Sequence, residues 1–127
     1  MSAVYVDTHI AVWLHDGLVH KLTSAAKREI EKNDLLISPM AYIELDYLFR
    51  RGRVGMDAPT IYANLNGTFG VLLCQFPFPA IAVLSVECQW TNDPFDRIIA
   101  AHAWANQESK LITADETIRQ HYRRAVW

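Results

Sequence analysis

The chain is poor in cysteine, has no apolar run long enough to cross a bilayer and carries no excess of positive charge. Cys74 and Cys88 are its only cysteines. Neither sits in a CxxC, so they read as reduced core thiols rather than a zinc site or a disulfide. Hydrophobic residues make up 51% of the chain, but they are spread along it, which argues against a membrane span. The apolar start "SAVYV" runs at once into "DTH" and has no basic leader, so no signal peptide is expected. These features predict a soluble, cytoplasmic protein. A net charge of −2 argues against holding nucleic acid by bulk positive charge. Any such contact has to rely on local patches. His15, His20, His102 and His121 share no metal-ligand spacing.

What is present is one domain's worth of alternating elements. The 127 residues contain no linker, repeat or compositional boundary, so a single domain over 1–127 is expected. Strands are predicted at 2–7, 35–38, 70–76 and 110–114. Helices are predicted at 9–17, 23–34, 39–52, 57–67, 79–90, 94–107 and 115–124, the fifth of these being ambiguous with a strand. Strands alternating with helices imply an α/β domain with a mostly parallel sheet. Ligands in such sheets gather beyond the carboxyl ends of the strands.

Carboxylates fall at those ends. Asp7 ends the first strand and Asp115 follows the last; each has an alternative role, since Asp7 or Thr8, and Asp115, could cap the helix that follows. Glu44 shares its helical stripe with Met40, Ala41, Tyr47 and Leu48, and a buried carboxylate is costly unless it meets a cation or donors. A structural ion pair with Arg97 is the competing explanation. Asp46 falls on the other face, four residues before Arg50, and reads as a solvated ion pair. Asp96 shares a face with Ile99, Ala100 and Ala103. Asp93 stands just before Pro94, where an N-cap belongs, and reads as cap first and ligand second. Two carboxylates about 4 Å apart repel by roughly 4 kcal/mol at an effective dielectric near 20. Converging acids therefore call for a cation, and an all-oxygen set suits Mg²⁺ or Mn²⁺.

The words "VDTHIAVWL" (6–14), "ISPMAYIELDYLFRRGR" (37–53), "DPFDRIIAAHA" (93–103) and "LITADE" (111–116) stand in one order across nearly the whole chain. Together they resemble PIN-domain ribonucleases, most closely the VapC-type toxins of toxin–antitoxin pairs. The resemblance implies a three-layer α/β/α domain that binds Mg²⁺ or Mn²⁺ and hydrolyses RNA phosphodiesters. Carried over by position, the catalytic and metal-binding acids are Asp7, Glu44, Asp96 and Asp115, with Asp93 an additional candidate from the DPFDR variant. Ala114 stands where many relatives carry a polar or basic residue. Thr113 is a candidate to hold the attacking water or the phosphate, or else simply fills a strand position. Arg50, Arg51 and Arg53 are candidates for RNA binding, although a basic helix C-terminus also complements the helix dipole. A small antitoxin covering the acids, and a homodimer or higher oligomer, are the implied partners. Trp13 is either its anchor or core.

Three other readings compete. A phospho-receiver domain has similar length and acidic strand ends, but it needs an acceptor Asp on a central strand, and here the mid-chain acid, Glu44, is on a helix. A catalytically idle PIN scaffold is disfavoured by the intact set of acids. A housekeeping RNA-processing nuclease differs from a toxin only in its partner and role.

Overall fold

The computed structural model describes residues 2–127. Its architecture follows from a strand with no wet face. In β1 (Ala3–Val6) successive side chains point to opposite sides of the sheet, and Val4, Tyr5 and Val6 are all buried. Both faces must therefore be covered, as in parallel sheets built from strand–helix–strand crossovers. The chain supplies the cover with α1 (Thr8–His15), α2 (Ser24–Lys32), α3 (Pro39–Arg50), α4 (Ala58–Phe69), α5 (Phe78–Ser85), α6 (Pro94–Ala105) and α7 (Glu116–His121). These alternate with β2 (Asp34–Ile37), β3 (Leu72–Leu73), β4 (Leu111–Ile112) and β5 (Ala125–Val126). The five strands are ordered β3-β2-β1-β4-β5 and every pairing is parallel, with Tyr5 in register with Leu36 on one side and Leu111 on the other. The fold is α/β in three layers.

The strand order positions the site. The chain moves outward from β1 to β2 and β3, then returns to place β4 on the other flank of β1. The order reverses between β1 and β4, and in sheets of this kind the crevice for a ligand lies at the carboxyl ends of the strands flanking that reversal. Helices begin there on polar caps, whose oxygens satisfy the free N–H groups of the first turn. Asp7 caps α1 and Asp115 caps α7. Ser38 caps α3 ahead of Pro39, and Asp93 caps α6 ahead of Pro94. A buried pin also ties two of these helices together: the Ser38 hydroxyl lies 2.8 Å from His102 Nδ1, joining the start of α3 to the middle of α6. Burial holds the His102 pKa down and keeps the ring neutral.

The predicted elements are present, with several differences in their bounds. Asp34 begins β2 instead of ending α2. The strand expected at 70–76 is reduced to Leu72–Leu73, because its last ladder bond runs from Cys74 N–H to the Ile37 carbonyl and Pro77 then opens α5. The ambiguous segment is a helix, but it closes at Ser85, whose hydroxyl turns back to the Ala82 carbonyl at 2.8 Å. The last helix stops at His121 because the chain is drawn onto the sheet edge as β5, where Thr113 N–H donates to the Val126 carbonyl at 3.1 Å. Both cysteines are buried free thiols, as expected.

Helix α3, which carries Glu44, is apolar on more than one side, so its rotation decides where that carboxylate points. Leu45 is fully buried while Ile43 is 54% exposed. Leu45→Ala should cost about 2–5 kcal/mol in urea unfolding, and Ile43→Ala no more than about 0.5 kcal/mol. Equal losses would show that α3 is turned differently.

Candidate active site

Asp7 is the fixed point of the crevice. It follows β1 directly and is 4% exposed. Its Oδ1 accepts from Thr8 N–H at 2.8 Å and its Oδ2 from the Thr113 hydroxyl at 2.7 Å. The capping bond reaches the first N–H of α1, not the second or third that an N-cap ordinarily serves, so capping alone does not account for the carboxylate's placement. Burial raises its pKa; the two hydrogen bonds and nearby His9 oppose that rise, and Asp115 adds to it.

Glu44 is brought in from α3 and is held by a neighbour of Asp7. The buried Thr8 hydroxyl donates to Glu44 Oε1 at 2.5 Å. The ion pair with Arg97 does not form: Arg97 Nε donates instead to the Thr91 carbonyl at 2.6 Å. Burial first, and then the Asp7 and Asp93 charges, raise the Glu44 pKa against the pull of Thr8 and His9. Asp46 pairs with Arg50 at 2.9 Å on the outer face, as expected.

Asp96 has no such partner. It lies in the first turn of α6, and among the described residues no side chain or backbone N–H donates to its carboxylate. Burial is the largest cause of its displacement, followed by Asp93, Asp7, Asp115 and Glu44, and together they push its pKa up to about 8. Those four charges all acting on Asp96 is the clearest sign that the acids share one space. Asp93 is the cap the sequence suggested, accepting from Phe95 N–H at 2.8 Å and Asp96 N–H at 3.4 Å. Asp115 uses Oδ1 to cap α7 through Ile118 N–H at 2.9 Å.

Thr113, a candidate for the water or the phosphate, sits behind two of the acids. It is fully buried, and its hydroxyl is committed on both sides, donating to Asp7 and accepting from Asp115 N–H at 3.0 Å. It orders two acids relative to each other. Arg50, Arg51 and Arg53 are exposed beyond the far end of α3's apolar turns, with Arg50 already paired to Asp46. The sequence reading assigned Thr8 no more than a cap; its hydroxyl link to Glu44 is the contact that reading missed, because the partner is 36 positions away.

The acids suit a hard cation by the chemistry of their donors, which are all oxygens, and by the unbonded Asp96. Among the described residues, no three His, Cys, Asp or Glu side chains already close into a chelating group. The opposite end of the sheet provides a contrast. There a polar hollow of about 510 Å³ is lined by Glu29, Lys32, Asn33 and Lys110 among others. Glu29, on α2, is 7% exposed and meets Lys110 Nζ at 2.8 Å. The Lys110 bond holds the Glu29 pKa below its ordinary value. The charge at that end is paired; the charge at the crevice is not.

A model of the PIN domain matches residues 4–124. Ribonuclease VapC22 of Mycobacterium tuberculosis is 28% identical over 131 aligned positions, covering 95% of this chain and 93% of the relative. Among solved structures, VapBC2 from Rickettsia felis bound to a DNA fragment from its promoter superposes with a TM-score of 0.64 at 17% identity, covering 98% of this chain and 96% of the other. A toxin–antitoxin complex from Klebsiella pneumoniae gives 0.59 at 17% identity with the same coverage. VapBC-1 from nontypeable Haemophilus influenzae gives 0.55 at 19% identity, covering 93% and 90%. No helix among the described residues is long and apolar enough to cross a membrane.

Asp96 ties stability to pH. With its pKa lifted from 3.8 to about 8, the folded protein retains a proton that the unfolded chain has released. Its contribution is therefore complete in acid and is lost as pH rises through about 4 to 8. In EDTA, Asp96→Asn should raise the melting temperature at pH 8, leave it little changed at pH 4, and flatten the decline between them. A parallel decline in both proteins would place the titration elsewhere.

The Thr8–Glu44 bond can be measured as a coupling. Thr8→Val and Glu44→Ala, made singly and together, should show a coupling energy of about 1–2 kcal/mol in urea unfolding. Additive losses would mean the hydroxyl does not hold the carboxylate.

Proposed function

The chain belongs to the PIN domain family, and from that membership we propose that it is a metal-dependent endoribonuclease, the VapC-type toxin of a toxin–antitoxin pair. The observation that carries the reading is Asp96: a carboxyl without a donor, pushed up to about 8 by burial and four other acids at the crevice between β1 and β4. A cation beside such a group would favour its anionic form. Support for RNA as the substrate comes from the relative named as a ribonuclease. Support for an antitoxin comes from neighbours solved as VapBC or toxin–antitoxin complexes.

Asp7, Glu44, Asp96 and Asp115 would hold the Mg²⁺ or Mn²⁺, with Asp93 capping the helix that presents Asp96. A bound ion of this kind lowers the pKa of a water and offsets charge developing on the phosphate. The residues do the rest. Thr8 and Thr113 fix the rotamers of Glu44 and Asp7, so neither acid has to be ordered when the substrate arrives. Asp115 has one carboxylate oxygen in its cap and the other free, and Asp96 has both free. Either is suited to orient the attacking water and accept its proton. Arg51 and Arg53, beyond the acids on α3, provide local positive charge on a chain whose net charge is negative.

The antitoxin would bring an Arg or Lys to the acids and apolar side chains to the aromatics beside them. Trp13 is half-buried, its ring 5.9 Å from that of Trp127 and 5.4 Å from Lys21 Nζ, which leaves an edge for such a contact. Exposed Phe78, Val83 and Val86 on and just after α5 suit an assembly of more than one copy.

The purified protein should cleave single-stranded RNA with Mg²⁺ or Mn²⁺ and stop in EDTA. Asp96→Asn should abolish cleavage, whereas Asp46→Asn, on the outer face, should retain it. Expression alone should slow growth, and co-expression with the partner encoded beside it should restore it. Cleavage undiminished by EDTA would sink the metal reading. Cleavage without toxicity would favour a housekeeping nuclease.

A further inference from the structure

The surface leading from the acids along α3 is aromatic and cationic, the reverse of the crevice it adjoins. Tyr47 stands about one turn beyond Glu44 and is 45% exposed. Its ring centre is 5.5 Å from that of Phe95, tilted by 44°, and Phe95 lies in sequence between Asp93 and Asp96. A further turn along, Arg51 holds its guanidinium 5.5 Å from the Tyr47 ring centre and donates from Nη1 to the Tyr47 hydroxyl at 3.2 Å. Among the described residues Arg51 forms no salt bridge with a carboxylate, unlike its neighbour Arg50. Packing alone does not explain this arrangement, since a tyrosine recruited only to join α3 to α6 would bury its ring, and this one keeps nearly half of itself in water beside an unpaired cation.

Resting on the nuclease reading, we propose that Tyr47, backed by Phe95 and flanked by Arg51, is a stacking subsite for one base of a single-stranded RNA whose adjoining phosphate lies at the acids. A polyanion can approach carboxylates only where a cation bridges them, so the rest of the strand has to leave over neutral or positive surface. The Tyr47 stripe is such an exit, and it starts at Glu44. Every base has a face that stacks on an aromatic ring, so the subsite would tolerate any sequence but would require the base to be unpaired. Arg51 now covers one face of Tyr47. An exposed guanidinium leaves a ring at little cost, and once displaced by the base it is free to pair with the next phosphate. Charge also distinguishes RNA from a protein occupant: a partner segment that brings cations to neutralise the acids would be repelled by Arg51 and Arg53.

The test uses the cleavage-deficient Asp96→Asn protein and a fluorescein-labelled, mixed-sequence single-stranded RNA, with binding read by anisotropy. Tyr47→Leu, which keeps apolar bulk but removes the ring, should weaken binding about tenfold, and Tyr47→Phe should stay within about twofold of its parent. Arg51→Gln should weaken binding and lower the salt slope by about 1. Duplex RNA of the same sequence should bind the parent and Tyr47→Leu equally. If the parent binds no single-stranded RNA, the subsite falls together with the nuclease reading. If the parent binds and Tyr47→Leu binds equally well, only the subsite is overturned. Unchanged RNA affinity with altered sedimentation of Tyr47→Leu would likewise overturn it, making the stripe a contact between protein chains.

Discussion

A carboxylate taken out of water must be given donors or a counter-charge, and the crevice of this protein depends on two threonine hydroxyls that supply the donors. Thr113 reaches Asp7 from the end of β4, and Thr8 reaches Glu44 from the start of α1. Since Thr8 N–H also binds Asp7, the two acids are held through adjacent residues. Bonds of this kind belong to the stronger class of hydrogen bond when the accepting oxygen is ionised. They fix two acids and leave Asp96 without a donor from the protein. The Ser38–His102 pin then sets the distance between the helix that carries Glu44 and the helix that carries Asp96.

Capping does not preclude a second role for these acids, for a geometric reason. A parallel sheet ends every strand at the same edge, and each helix that leaves that edge needs an oxygen at its first turn. Asp7, Asp93 and Asp115 all satisfy that need, so the choice between cap and ligand that the sequence posed is not exclusive. Asp115 caps with one oxygen and keeps the other. Glu44 caps nothing, which is why it was the acid hardest to explain by helix chemistry alone.

The acids were legible because each stood at a strand end or interrupted an apolar stripe, patterns set within a few residues. The contacts that hold them were not, because they join residues far apart in the chain: Thr8 with Glu44, Thr113 with Asp7, Ser38 with His102. The burial of Glu29 is hidden in the same way, since the lysine that allows it to be buried lies 81 positions away. Strands β3, β4 and β5 are two residues each, too short to show a period of two, and β5 lies just past the last predicted element. Tyr47 illustrates a different limit. On a helix apolar around most of its circumference, periodicity groups side chains into stripes but does not say which stripe faces water.

The pairing of β1 with β4 has a consequence for the order of assembly. Asp7 is made before the hydroxyl that holds it, which comes 106 positions later, and the backbone of Thr113 is itself anchored by Val126. Asp96 and Asp115 also belong to the last third of the chain. A polypeptide still emerging from the ribosome would present Asp7 and Glu44 with no wall of β4 beside them and no fourth acid opposite. The crevice is walled only once β4 has joined β1, so a product interrupted before β4 would lack it.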